Sequence, residues 1–394
     1  MSGTPEARKL RLCYSAQMGL AIGVNLPPVF LTTFSETFGG PQGLSEEELG
    51  RIPAVLFTAL GVGILAGGAW ADRWGGKPFA ALGLLFTCLG LLVLGGSQSY
   101  GMLLGAISLM GLGAGVLDTV LSPMVAALRP LRKVHALNWL HSFYCTGAVL
   151  TVLIGALALR FHVSWRLVAV LIALYPILVM AGFLRAERFP LVHGEADPEP
   201  FRFLVAHPAF LAALLGICLG GATEVTMAQW LPAYAELGLG FAKSTGGFAL
   251  AAFSVAMVVG RLLVARFGDR VGPIPLMILC CAASAVLYLL GCFASDPALA
   301  LLACTAVGFT SSCLWPTMLS VAANRFPFGG ASMFALLAAS GNMGCILAPW
   351  AVGLVAERSR LDYGLATAAL CPIMMAGVLF AIPGGKQEEP ALSE

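Results

Sequence analysis

The chain is a succession of apolar runs about twenty residues long, each closed by a short cluster of charges or turn residues. A helix of that length spans the ~30 Å hydrocarbon core of a bilayer, at about 1.5 Å per residue. Between Lys77 and Arg129 the only charged residue is Asp118, and between Arg325 and Glu357 there is none. In hydrocarbon every backbone N–H and C=O must be paired within the protein, which leaves helices or closed barrels. These runs are continuous and do not alternate every second residue, so helices are expected. Composition agrees: 59% of the residues are hydrophobic and 11% charged, against roughly 45–50% and 25% in soluble domains. Mean hydropathy is +0.89.

The charge map predicts an all-α membrane protein with twelve spans, at 12–34, 50–71, 78–96, 101–127, 134–159, 164–184, 208–233, 245–265, 273–293, 297–321, 328–354 and 362–384. No small-residue cleavage site follows the first run, so it is expected to stay as span one. With both ends of the chain placed in the cytoplasm, sixteen of the 22 Lys and Arg residues fall on the inner side, Arg261 counted among them. Arg51, Arg160, Arg166, Lys243, Arg358 and Arg360 fall outside. The positive-inside rule therefore predicts a multi-pass protein of the plasma (inner) membrane with cytoplasmic termini.

The longest polar stretch, 185–207, lies near the midpoint and reads as a linker between a six-helix half at 1–184 and another at 208–394. Net charge is +2, which gives no reason to expect nucleic acid. Eleven cysteines are scattered without disulfide or metal spacing, so they read as small core residues, and no cofactor or metal is expected.

Two cytoplasmic loops repeat. Gly68-Ala-Trp-Ala-Asp72-Arg73-Trp-Gly75 follows span two, and Ala265-Arg-Phe-Gly-Asp269-Arg270-Val-Gly272 follows span eight. The Asp-Arg pairs lie 197 residues apart (269 minus 72), half the chain length, as parallel transporter repeats require. The pattern resembles the signature loop of the major facilitator superfamily. That resemblance implies two six-helix bundles around a central cavity, with Gly68, Asp72, Arg73, Gly75, Asp269 and Arg270 as a conformational latch. Asp near a helix end and Arg in a tight turn are suited to charge-assisted bonds with a neighbouring helix. The second copy carries Ala265 in place of the leading Gly.

Ionisable groups at membrane depth are costly and mark function. Asp118 lies eleven residues before Arg129, about 16 Å from the inner boundary. Glu224 is expected in the outer half of span seven. His141 follows Asn138 by one turn, so the two share a helix face about 12 Å inside the boundary set by Lys133. Asp118 and Glu224 are the candidate proton-coupling groups.

Gly113-Ala-Gly-Val-Leu-Asp118-Thr and Leu137-Asn138-Trp-Leu-His141-Ser-Phe resemble the fourth- and fifth-helix signature of the fucose–galactose–glucose:proton symporter family. Gly-Ala-Thr-Glu224-Val and Leu314-Trp-Pro316-Thr resemble its seventh- and tenth-helix segments. The resemblance implies proton symport of a small polar solute, a sugar or sugar derivative, by a monomer in lipid. Gln17, Asn25, Asn138, His141, Gln229 and Asn342 are the polar candidates for binding it, with Thr226 and Ser312 as further hydroxyls. Trp230 and Trp315 are the candidates for stacking on a sugar face, with Trp139 and Tyr144 as further aromatics. The chain has Asp where many relatives have Glu on helix four, and no acid beside Asn25. Sodium coupling, facilitated diffusion and proton-driven export of amphipathic compounds stay open as alternatives. Catalysis is not expected: no metal-hydrolase or nucleophile-elbow motif is present, and adjacent His141 and Ser142 point apart on a helix.

Overall fold

The structure, a computed structural model, describes residues 5–129, 133–187, 189, 204, 206–326 and 330–381. Most of the linker at 185–207 lies outside the described residues. Among those described, twelve helices are long and apolar enough to cross a membrane. They are α1 (Pro5–Phe38), α2 (Glu46–Trp74), α3 (Gly76–Gly96), α4 (Tyr100–Leu128), α5 (Lys133–Arg160) and α6 (Trp165–Arg185), then α7 (Pro208–Gly238), α8 (Lys243–Val271), α9 (Pro273–Phe293), α10 (Pro297–Arg325), α11 (Gly330–Arg358) and α12 (Leu361–Phe380). All twelve expected spans are present. The expected first span, 12–34, is longer at both ends, and it bends through a 3-10 turn at Pro27–Phe30, where two prolines remove backbone donors.

The half-length repeat extends well beyond the two loops. α2 and α8 start and stop 197 residues apart (243 minus 46, 271 minus 74), and the same spacing relates α3 to α9 and α4 to α10 at both ends. It also holds for backbone geometry. Gly75 (φ 85°, ψ 156°) and Gly272 (φ 84°, ψ 150°) turn the chain identically into α3 and α9. That region is open essentially to glycine alone, which gives the final Gly of each loop motif a physical reason. The side chains of Asp72, Arg73, Asp269 and Arg270 lie outside the described residues.

Large apolar side chains such as Leu65, Leu178, Leu262, Leu279, Leu302 and Phe380 face outward. Such a surface is unfavourable in water and suits lipid. At the face away from the chain ends, the two halves lock together. The Trp350 Nε1–H donates to Glu47 Oε1 at 2.7 Å, Ser45 donates to Glu357 at 3.5 Å, and Lys243 pairs with Glu36. α2 and α11 meet backbone to backbone there, because Gly50 sits against the Pro349 carbonyl and Gly353 against that of Glu46, where no Cβ would fit.

Candidate functional site

α4 is packed on all sides through its middle. Residues 113–117 are buried, and Asp118 is exposed. Its carboxylate has no hydrogen bond or ion pair among the described residues. The face away from the chain ends is closed by the contacts above.

The second intramembrane acid is in a different setting. Glu224 stands near the middle of α7, one residue past its midpoint, and it is paired. Arg261 on α8 donates from Nη2 to Glu224 Oε1 at 3.2 Å and Oε2 at 3.4 Å, from Nε to the Ser312 carbonyl at 3.2 Å, and from Nη1 to Cys145 Sγ at 3.7 Å. Side-chain exposure is 17% for Glu224 and 31% for Arg261, so the pair is enclosed but still reached by solvent.

The local sequence explains this geometry. Pro316 cannot supply the N–H that would bond the carbonyl four residues back, and that carbonyl belongs to Ser312. α10 is broken at Ser312 and Cys313, just before the Leu-Trp-Pro segment, and the freed Ser312 oxygen accepts from Arg261. Gly260 lets α8 lie directly against Phe309 and Ser312, bringing Arg261 within reach. Arg261 was expected among the cytoplasmic charges. The structure corrects this: it lies inside span eight, bound to Glu224. The inner count becomes fifteen, and the bias stands.

Residues of both halves gather around the pair. His141 lies within electrostatic range of Arg261 and one turn before Cys145, on the same face of α5. Tyr144 faces both Glu224 and Arg261, and its hydroxyl accepts from Asn25 Nδ2 at 3.4 Å, which ties α1 to α5. The backbone places Asn138 one turn before His141, and its side chain lies outside the described residues.

The remaining candidates divide. Gln17, Gln229 and Asn342 are buried. Trp315 is half-buried and packs across Gly221 of α7 and Gly341 of α11. Trp230, expected beside the solute, is fully buried, with its Nε1 donating to the Pro349 carbonyl at 2.9 Å. It braces α7 against α11 in the packed core and has no open face. Thr226 and Ser311 are buried with hydroxyl oxygens that have no partner among the described residues.

The Major Facilitator Superfamily family model matches residues 13–247 and 236–394. The chain belongs to this superfamily, and it is a multi-pass membrane transporter of the all-α, twelve-helix type, not an enzyme. It is 20% identical, over 86% of this chain and 88% of the other, to an uncharacterized transporter of the superfamily from Yersinia pestis. It is 25% identical, over 85% and 88%, to a protein of Helicobacter pylori provisionally named a glucose/galactose transporter. Among solved structures it is similar to a bacterial homolog of the human lysosomal transporter Spinster in an inward-facing, occupied conformation (TM-score 0.77, 15% identity, 97% of both chains). A nucleoside transporter is likewise similar, with TM-score 0.75, 14% identity and 94% and 99% coverage. These structural likenesses concern the fold.

Proposed function

We propose that the protein carries a small polar solute, a sugar or sugar derivative, together with a proton, by alternating access across the inner membrane. The observation that carries this reading is Asp118, an exposed carboxyl inside a membrane span with no hydrogen bond or ion pair among the described residues, which we place in the transport cavity. Desolvation favours the neutral form of a carboxyl, and water access favours the charged form. A cavity that opens alternately to each side therefore loads and unloads one proton per cycle at such a group. If the solute binds one protonation state better, proton and solute uptake are linked, and the linkage is reciprocal.

The other parts take roles around this carrier. His141, Asn138 and Asn25 bind hydroxyls, and Trp315 supplies a partly open aromatic face. Glu224 is held by Arg261 and belongs to the solute site. The six-helix halves, 1–184 and 208–394, rock about the sealed face, and the two Asp-Arg loops latch the other face when the cavity reverses. Cytoplasmic termini follow from fifteen basic residues against six, which makes the open state inward-facing. The similarity to a relative named for glucose and galactose supports a sugar-like solute.

The test is uptake into proteoliposomes with a panel of labelled sugars, with and without an imposed pH gradient. Accumulation above the equilibrium level only with the gradient is expected. Equal uptake with and without it contradicts the proton coupling.

A further inference from the structure

Arg261 has five N–H donors, and its acceptors use them incompletely. Nε and Nη2 have strong oxygen partners, but among the described residues Nη1 has only the Cys145 thiol, a weak acceptor. The side chain is 31% exposed, so it is within reach of a solute as well as of these partners. His141, from the other half of the protein, lies within electrostatic range of Arg261.

A guanidinium fork fits a carboxylate, which accepts two parallel N–H bonds. Glu224 holds part of the fork, through two contacts from the one nitrogen Nη2 at 3.2 and 3.4 Å. We infer that Arg261 is the specificity-determining residue for a solute carboxylate, with Glu224 occupying its place in the empty site, so that the solute is a sugar acid. This inference rests on the proton-coupled reading above.

The charges balance under that reading. With the cavity empty, charged Asp118, Glu224 and Arg261 sum to one net negative charge. With a proton on Asp118 and a monoanionic solute on Arg261, the sum is again one net negative charge. Proton and anion thus enter together without adding charge to a low-dielectric space, where an extra charge is costly. The other groups facing the pair are His141, Tyr144 and Cys145 from α5 and Cys345 from α11. None of them adds a fixed charge while His141 is neutral. A neutral sugar carried with the same proton would instead change the net charge by one, so the two solute classes differ electrically as well as chemically.

The full-length protein in proteoliposomes tests this with two matched probes, labelled D-gluconate and D-glucose. Gluconate is expected to accumulate under a pH gradient, at a rate unchanged by a potassium–valinomycin potential. Arg261→Gln is expected to raise the half-saturating gluconate concentration about 10- to 100-fold, the value of a charge-assisted bond, and that of glucose by less. Should this variant fail to fold, Arg261→Lys keeps a positive charge beside Glu224 and removes the fork, and half-saturating gluconate is expected to rise while that of glucose stays nearly unchanged. Accumulation of glucose without gluconate overturns the inference and leaves the proton-coupled reading standing. Gluconate uptake that follows the potential also overturns it. If neither probe moves under the gradient, both readings fall.

Discussion

Asp118 and Glu224 are both carboxylates in the middle of membrane helices, one in each half of the chain, yet their surroundings differ in kind. Asp118 is exposed on a tightly packed α4 and has no hydrogen bond or ion pair among the described residues. Glu224 is held by Arg261, which is held in turn by a carbonyl that Pro316 sets free. The internal repeat sharpens the contrast. At the spacing of 197, the counterpart of Asp118 (118 plus 197) is Trp315, in the very segment that positions Arg261. Matching helices have thus kept their lengths and turns while their middles diverged into a free acid on one side and an ion pair with an aromatic on the other. A free acid exchanges a proton with little structural cost, whereas a paired acid resists changing its charge because its partner would be stranded. Under the function proposed above, the difference gives the proton to the first half and the solute to the second.

The largest expected effect is on folding. Arg261→Gln or Glu224→Gln alone strands a charge and is expected to cost roughly 3–5 kcal/mol, read as a lower melting temperature in detergent. The double variant is expected to recover much of that loss, and Asp118→Asn to cost less than about 1 kcal/mol because no partner is lost. Equal losses at Asp118 and Glu224 would erase the contrast. Next come the turns: Gly75→Ala and Gly272→Ala each force a side chain into glycine-only backbone, at about 1–3 kcal/mol. Nearly equal drops in melting temperature are expected, and unequal ones would break the equivalence of the repeats. Smaller still is the sealed face. Trp350→Phe removes the donor to Glu47, worth about 1 kcal/mol at this exposed position, or about a fivefold population shift toward the outward-open state. Spin-label distances between Gln98 and Ser295, exposed on the two halves, read that shift. At the latch, Asp72→Asn is expected to slow solute exchange several-fold while leaving half-saturation unchanged, in a counterflow assay. An unchanged rate removes the latch role.

Span positions could be read from sequence because each depends on one local property, apolar length between charges. The acids were legible by the same depth arithmetic. Arg261 was missed because a basic residue near a cytoplasmic loop satisfies the positive-inside rule, so its depth went uncounted. It lies eleven residues before Gly272, about 16 Å at the helical rise, the depth that singled out Asp118. Pairing with Glu224 stayed hidden for a different reason: it depends on how α7, α8 and α10 pack, and 37 residues separate the partners. Trp230 shows the reverse error. Its position on α7 suited a stacking residue, but only packing reveals that its ring is enclosed and its N–H taken by Pro349.

The central claim is that the unpartnered acid carries the proton and the paired one does not. It is tested most directly by proteoliposome transport of Asp118→Asn, with wild type and Glu224→Gln alongside. Asparagine keeps the shape of a neutral carboxyl but has no proton to release. The account predicts that Asp118→Asn still exchanges solute across the membrane in counterflow yet no longer accumulates it when a pH gradient is applied, while Glu224→Gln alters affinity and keeps the pH-driven accumulation. Undiminished pH-driven accumulation by Asp118→Asn, together with its loss in Glu224→Gln, would contradict the account and reverse the two roles.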